Sequence, residues 1–311
     1  MTFQHWCRTG FAALVLMAGA VQAQTAAKLS VSYTATPEFG GIFIAKEEGF
    51  FAKRGLDVTL LPIPLSPNVP AALISNSVQV GGTTPPVLLQ AMDSGLDLVA
   101  IAGGGAYENA SRGVGLVARD GVSIHSAADL VGKKIGVPGF NATVHLLVRR
   151  WLLDKGIDPK KVSFVELSIP QMPDVLKGGT VDAVAIVEPF MGRIVQGRIG
   201  TPVPAFSNDL ASGFTSVFYI ATRKWAAAHP EQVKAFREAL QEAVSFGNAN
   251  REKAYADIGK YFKVPPEVLR ATPWPNWSVT LRDENLGFWL DTMRAQQMLK
   301  KPPTLSSVIL P

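Results

Sequence analysis

The sequence predicts an α/β protein of two lobes, each a mostly parallel sheet flanked by helices. Three observations predict it. Short β-rich runs alternate with helical patterns along most of the chain, as in sheets wrapped by helices. The length of 311 residues corresponds to about two domains. Two strand-like runs, 114–118 and 217–221, fall where one set of units gives way to another and where the chain returns.

The elements follow in order. Residues 28–34 alternate like a strand, 37–41 (PEFGG) form a loop, and 42–54 read as a helix stopped by Gly55. Strands are expected at 56–61, 78–81 and 98–102, with short helices at 69–75 and 85–93; Gly103, Gly104 and Gly105 close the last of these strands. A second set begins at Asp129, with strands at 134–137, 163–167, 183–187 and 203–206 and helices at 142–154, 171–177 and 188–196. After Arg223 the chain turns helical, at 224–228, 231–250, 251–262, 266–271 and 281–299. Pro230 sits at a helix start, where its missing N–H matters little. Val233, Phe236, Leu240 and Val244 mark an apolar stripe.

The N-terminus reads as a secretory signal. Arg8 supplies the positive region, 11–21 are apolar, and Val21-Gln22-Ala23 places small residues at a cleavage site. The apolar run is shorter than the roughly 20 residues of a membrane span. Residues 1–23 are therefore expected to be a signal peptide cut after about Ala23, which places the mature chain in the periplasm; a membrane anchor is the alternative. Cys7, the one cysteine, lies in this segment, so the expected mature chain has neither a thiolate nucleophile nor a cysteine-ligated metal.

Apolar residues make up 47% of the chain and charged residues 18%, which supports a sizeable core and argues against disorder. The net charge of +5 is spread over isolated basic pairs with no aromatic interleaving. That reads as a solvated surface and not as a nucleic-acid stripe. His125, His145 and His229 lack metal-ligand spacing, and no Gly-x-Ser-x-Gly elbow or Walker loop is present. No metal or cofactor is expected, and no catalytic residue is assigned.

Gly40-Gly41-Ile42, then Glu48-Gly49-Phe50-Phe51 and Gly55-Leu56-Asp57-Val58, resemble the N-terminal signature of ABC-transporter solute-binding proteins of the taurine, aliphatic-sulfonate, nitrate and thiamine-pyrimidine group. Asp129-Leu130-Val131-Gly132-Lys133-Lys134, Gly179-Thr180-Val181-Asp182-Ala183 and Glu188-Pro189-Phe190 extend the resemblance over nearly the whole mature chain. It implies a two-lobed periplasmic-binding-protein type II fold with two crossover hinge strands. Lobe 1 would hold 28–117 plus 219–311 and lobe 2 would hold 118–218. It implies a monomer that captures a small organic solute, such as a sulfonate, carboxylate or pyrimidine compound, and passes it to an ABC permease in the inner membrane. Two alternatives stand beside it. One is a pyrimidine-synthase-like enzyme of the same fold, which would use cysteines this chain lacks. The other is a ligand-sensing partner of a membrane receptor.

Ligands of open α/β sheets bind beyond the carboxyl ends of strands, where loops enter helices, and two such lobes close on a hinge. Asn141, Ala142 and Thr143 open a long helix after a strand, so they form either a clamp for an anionic or carbonyl group or an ordinary N-cap. Thr36, Phe39, Gly40 and Gly41 leave the first strand; their glycines permit either close ligand approach or a tight turn. Thr83 and Thr84 occupy another strand-to-helix turn, and Gly104 ends a strand facing the cleft. Glu188 either caps a helix or accepts hydrogen bonds from an amine. Trp274 and Trp277 either line the cleft or plug the lobe surface.

Overall fold

The computed structural model describes residues 26–108, 113–281 and 283–311, the side chains of Asp283 and Asn285 excepted. The expected signal at 1–23 lies outside the described residues. In chain order they form β1 (Ala27–Tyr33), α1 (Gly40–Glu47), β2 (Leu56–Pro62), α2 (Val69–Ile74), β3 (Val80–Thr83), α3 (Pro85–Asp93), β4 (Leu98–Tyr107), β5 (Val114–Arg119), β6 (Lys134–Val137), α4 (Thr143–Asp154), β7 (Ser163–Glu166), α5 (Met172–Lys177), β8 (Ala183–Val187), α6 (Phe190–Gln196), β9 (Gly200–Pro202), α7 (Pro204–Asp209), β10 (Phe214–Thr222), α8 (Arg223–Ala228), α9 (Pro230–Ala249), α10 (Arg251–Gly259), α11 (Pro266–Ala271), β11 (Asn276–Trp277), α12 (Asp283–Ala295) and α13 (Leu305–Val308). No helix of the described residues is long and apolar enough to cross a membrane.

Two sheets divide these strands, in the orders β11-β4-β10-β3-β1-β2 and β7-β6-β8-β5-β9. The expectation of mostly parallel sheets needs correction, because both are mixed. β1 pairs in parallel with β2 and β3, but β10 runs antiparallel between β3 and β4. In the second sheet β6 pairs in parallel with β7 and β8, whereas β5 runs antiparallel to β8 and β9. The inserted strands β5 and β10 are the ones that follow a passage between sheets.

Those passages fall earlier than the pattern of apolar runs suggests. All of β5 belongs to the second sheet and all of β10 to the first. The boundaries expected at 117/118 and 218/219 therefore fall inside strands. Both runs are buried sheet interior, Val114 through Ala118 and Phe214 through Ala221, and an apolar run has the same appearance whether it crosses between lobes or fills one. The two passages hold each other. Gly213 N–H donates to the Tyr107 carbonyl at 2.9 Å, and the Ser212 hydroxyl to Glu108 at 2.8 Å.

Three further differences have local causes. The stretch 203–206 is not a strand, because Pro204 starts α7 at a position that needs no N–H. The helix expected over 42–54 ends at Glu47, where Gly49 turns the chain at φ +73°. Gly103, Gly104 and Gly105 lie inside β4 and do not end it. A Cβ at Gly103 would lie 2.2 Å from the Ser278 carbonyl oxygen, so another backbone passes close over the strand there.

Candidate functional site

The space between the two sheets is a cavity lined from the first lobe by Thr34, Thr36, Glu38, Pro64, Ser66, Thr84, Ser216 and Val217, and from the second by Val114, Pro138, Ala142, Thr143, Val144, Ile169 and Val187. Its volume of about 50 Å³ is several times the 10–15 Å³ or so that one water needs by the same measure. It suits a small solute of a few heavy atoms. The lobes are closed around it. The Thr143 hydroxyl at the start of α4 donates to the Ser216 carbonyl of β10 at 3.3 Å. The Gln296 amide beyond α12 donates to the Leu146 carbonyl of α4 at 3.2 Å.

Each polar group reaches the cavity for a local reason. Thr84 stands at the N-cap of α3, yet its side chain makes no cap bond. Pro85 and Pro86 lack N–H groups, and the Val87 N–H donates to the Thr84 backbone carbonyl. The Thr84 hydroxyl is buried without a partner. Ser216 is the extra residue of a bulge in β10, where Thr215 pairs with Ala106 and Val217 with Gly105. Bulges re-aim side chains, and the Ser216 hydroxyl is likewise buried and unpartnered. Unmet hydroxyls in a closed cavity point to a polar ligand. α4 presents the N–H groups of its first turn, which have no partner within the helix, and the helix dipole favours an anionic or carbonyl oxygen there.

Among the described residues lining the cavity, Glu38 is the charged one. It sits in a short 3-10 turn, Pro37–Phe39, after β1. The Thr36 hydroxyl donates to its carboxylate. Burial pushes its pKa up from 4.5 to about 7; its own backbone N–H opposes this, and the nearby charge of Glu188 adds to it.

Four of the residues singled out in the sequence line the cavity, Thr36, Thr84, Ala142 and Thr143, and nine do not. Phe39 points the other way, fully buried against Tyr219 at a ring distance of 5.4 Å. Gly40 makes room for an indole, since a Cβ there would lie 2.4 Å from Trp277, and Gly41 packs near Leu240 of α9. The Thr83 hydroxyl is buried on the Ser66 carbonyl. Gly104 faces Val217 within the sheet. Asn141 takes a left-handed turn at φ +60°, and its N–H donates to His145 Nδ1 at 2.8 Å. Glu188 accepts from the Gly192 N–H at 2.9 Å in the first turn of α6, and burial raises its pKa. Trp277 Nε1 donates to the Pro37 carbonyl and Trp274 Nε1 to Asn248, so both indoles plug the lobe beneath the Glu38 turn.

Sequence reasoning missed Glu38, Thr34, Ser66 and Ser216. For Glu38 a signal existed, a carboxylate inside an otherwise uncharged Pro/Gly loop. For Ser216 there was none, because a bulge leaves no mark in apolar periodicity.

A family model described as NMT1/THI5 like matches residues 36–254. A protein of Brucella abortus named as a binding protein is 28% identical over 259 residues, covering 80% of this chain and 78% of its own. The 4-amino-5-hydroxymethyl-2-methylpyrimidine phosphate synthase of Schizosaccharomyces pombe is 26% identical over 225 residues, covering 68% and 62%. Among solved structures, the alkanesulfonate-binding protein SsuA from Xanthomonas axonopodis pv. citri bound to MOPS superposes with a TM-score of 0.77 at 22% identity, covering 91% and 98%. That likeness shows the bilobed fold, two helix-flanked sheets with a cleft between them.

Proposed function

This chain belongs to the NMT1/THI5-like family, and from that premise and the closed interlobe cavity we propose that it is the extracytoplasmic solute-binding component of an ABC importer. The observation that carries the reading is the cavity itself. It is small, mostly apolar, shared by both lobes, and supplied with two unpartnered hydroxyls and the start of α4. Such a site holds a ligand by burying it, and the Thr143–Ser216 bond ties its capture to closure. The solute class that fits is a small organic molecule with an acidic or carbonyl oxygen for the α4 N–H groups, such as a sulfonate, a carboxylate or a pyrimidine compound. The partner that follows from this role is an ABC permease, and the protein would act as a monomer.

The likeness to the fission-yeast synthase supports a second reading, pyrimidine-synthase-like chemistry. Against it, Cys7 is the only cysteine of the chain, and among the described residues none that lines the cavity is a histidine or cysteine. One experiment separates the two. The protein from residue 24 onward is screened by thermal shift against small sulfonates, carboxylates and pyrimidines, and each hit is incubated and recovered. A solute at about a hundred times its Kd adds roughly 2.7 kcal/mol of stability, and it is expected back unchanged. Turnover of the hit would replace this reading with the second one, and no stabilisation by any metabolite would remove it.

A further inference from the structure

We propose that Glu38 selects the solute by its nitrogen: the Glu38 carboxylate receives an ammonium or amidine-like group of the ligand, with Glu188 of the opposite lobe placed behind it. The proposal rests on the solute-binding reading and deepens it, since it names a chemical class for the same cavity.

Glu38 lines two spaces at once. One is the main cavity. The other is a gap of about 10 Å³ beyond it, also lined by Tyr107, Gly113, Glu188, Thr272 and Asn276. That is room for one water-sized group. Glycines keep the place open: a Cβ at Gly105 would lie 2.9 Å from that of Glu38, and one at Gly113 would lie 3.5 Å from its Oε1. The two carboxyl groups come from different lobes. Glu38 follows β1, and Glu188 follows β8. In this arrangement of the lobes both line the same gap.

The described residues lining these two spaces include no lysine, arginine or histidine. The contrast with the rest of the protein is plain. Glu242 pairs with Lys53 and Arg54, and Glu47 with Lys260. Among the described residues Glu38 has only the Thr36 hydroxyl and its own amide. Among the described residues the titratable groups facing it are Glu188 and Tyr107; β10 and the 272–276 loop present Ser216, Thr272 and Asn276, which carry no charge. A buried carboxylate without a counter-charge is unfavourable, and a protonated ligand nitrogen supplies that charge. The Thr84 and Ser216 hydroxyls, buried, unpartnered and on the same cavity wall, mark the place as one where polar ligand atoms are awaited.

The alternative chemistry is a neutral Glu38 that donates to an acidic ligand, and pH separates the two. A carboxylate receiving a cation must be ionised, so binding weakens about tenfold from pH 8 to pH 6 as the competent fraction falls. A neutral donor has the opposite dependence. The experiment uses matched probes: 2-aminoethanesulfonate against ethanesulfonate, β-alanine against propionate, and 4-aminopyrimidine against pyrimidine. All are screened by thermal shift, and hits are titrated calorimetrically at pH 6 and 8 on wild type, Glu38→Gln and Glu38→Asp. The nitrogen-bearing member of a hit pair is expected to bind at least tenfold tighter at pH 8. Glu38→Gln should bring that preference below threefold, and Glu38→Asp should retain part of it, which shows that the cleft still folds. Equal affinity within the pairs, a preference for the nitrogen-free acid, or unchanged selectivity in Glu38→Gln overturns the proposal. Silence from all six probes beside hits from a broad metabolite library overturns it too and leaves the solute-binding reading standing. Silence from the library as well overturns both.

Discussion

Replacing Glu38 with Gln should change how the ligand-free protein responds to pH. Burial, followed by the charge of Glu188, lifts the Glu38 pKa from 4.5 to about 7. Between those values the folded chain holds a proton that the unfolded chain has released. A raised carboxyl pKa therefore gives stability that is complete below about pH 4.5 and is lost as pH rises through 7. Two and a half units correspond to about 3 kcal/mol in all, and the part falling between pH 5.5 and 8.5 is about 2 kcal/mol. Glutamine has nothing to titrate, so the variant lacks this slope while every other group keeps its own. With an unfolding entropy of about 2.1 cal/mol/K per residue, 2 kcal/mol in a protein of this size is roughly 3 °C. The assay is calorimetric melting of both proteins at pH 5.5 and 8.5 at equal ionic strength. Glu38→Gln should gain about 3 °C on wild type between the two pH values. If the difference between the proteins is the same at both, within 1 °C, Glu38 is not the buried, uncompensated acid described above.

Phe39→Ala should destabilise the protein by about 3–5 kcal/mol in urea unfolding, because it empties a fully buried site against Tyr219. Thr143→Ala removes the donor to the Ser216 carbonyl, a bond worth about 0.5–1.5 kcal/mol, and should weaken solute binding about two- to tenfold by calorimetry. Arg237→Ala strips the guanidinium from the carbonyls of Ile101, Leu310 and Pro311. Hydrogen exchange at 307–311 should accelerate while solute affinity stays within about twofold, since neither Arg237 nor this C-terminal segment lines the cavity. His145 is held down to about 3 by burial and then by Arg149. Nitrogen-15 NMR should therefore find it neutral at pH 5 with its proton on Nε2, the tautomer set by Asn141 N–H donating to Nδ1. A depressed base has the opposite linkage to Glu38, and its contribution to stability is lost as pH falls below 6.5.

Regular elements were readable because a period repeats. β6 and β8 lie at 134–137 and 183–187, where their apolar runs stand in the sequence, and α9 carries its stripe of Val233, Phe236, Leu240 and Val244 on its buried face. What a run cannot say is which neighbour it pairs with. β5 and β10 are as apolar as crossing strands would be, and only their hydrogen-bond partners place them wholly in one sheet. The glycines of β4 misled for a related reason. Three in a row look like the end of a strand, but here they admit the Ser278 backbone and the Glu38 side chain against a strand that continues.

The cavity was legible where a strand runs into a regular helix and hidden elsewhere. Ala142 and Thr143 precede a twelve-residue helix, so position alone puts them at its open end. In the PEFGG loop the same reasoning chose the wrong neighbour. Phe39 has the larger surface to bury, the 3-10 turn rotates adjacent side chains by about a third of a turn, and the ring that enters the core swings Glu38 out towards the other lobe. The driving force is the burial of an aromatic ring, worth about 1.5–3 kcal/mol. The polar residue left facing the gap follows from it. Functional side chains of this protein are thus placed partly by what their neighbours must bury. A change at Phe39 to a smaller apolar residue should loosen the Glu38 turn and the solute preference together, whereas an equal loss of volume elsewhere in the first lobe, at Leu89 for example, should lower stability alone.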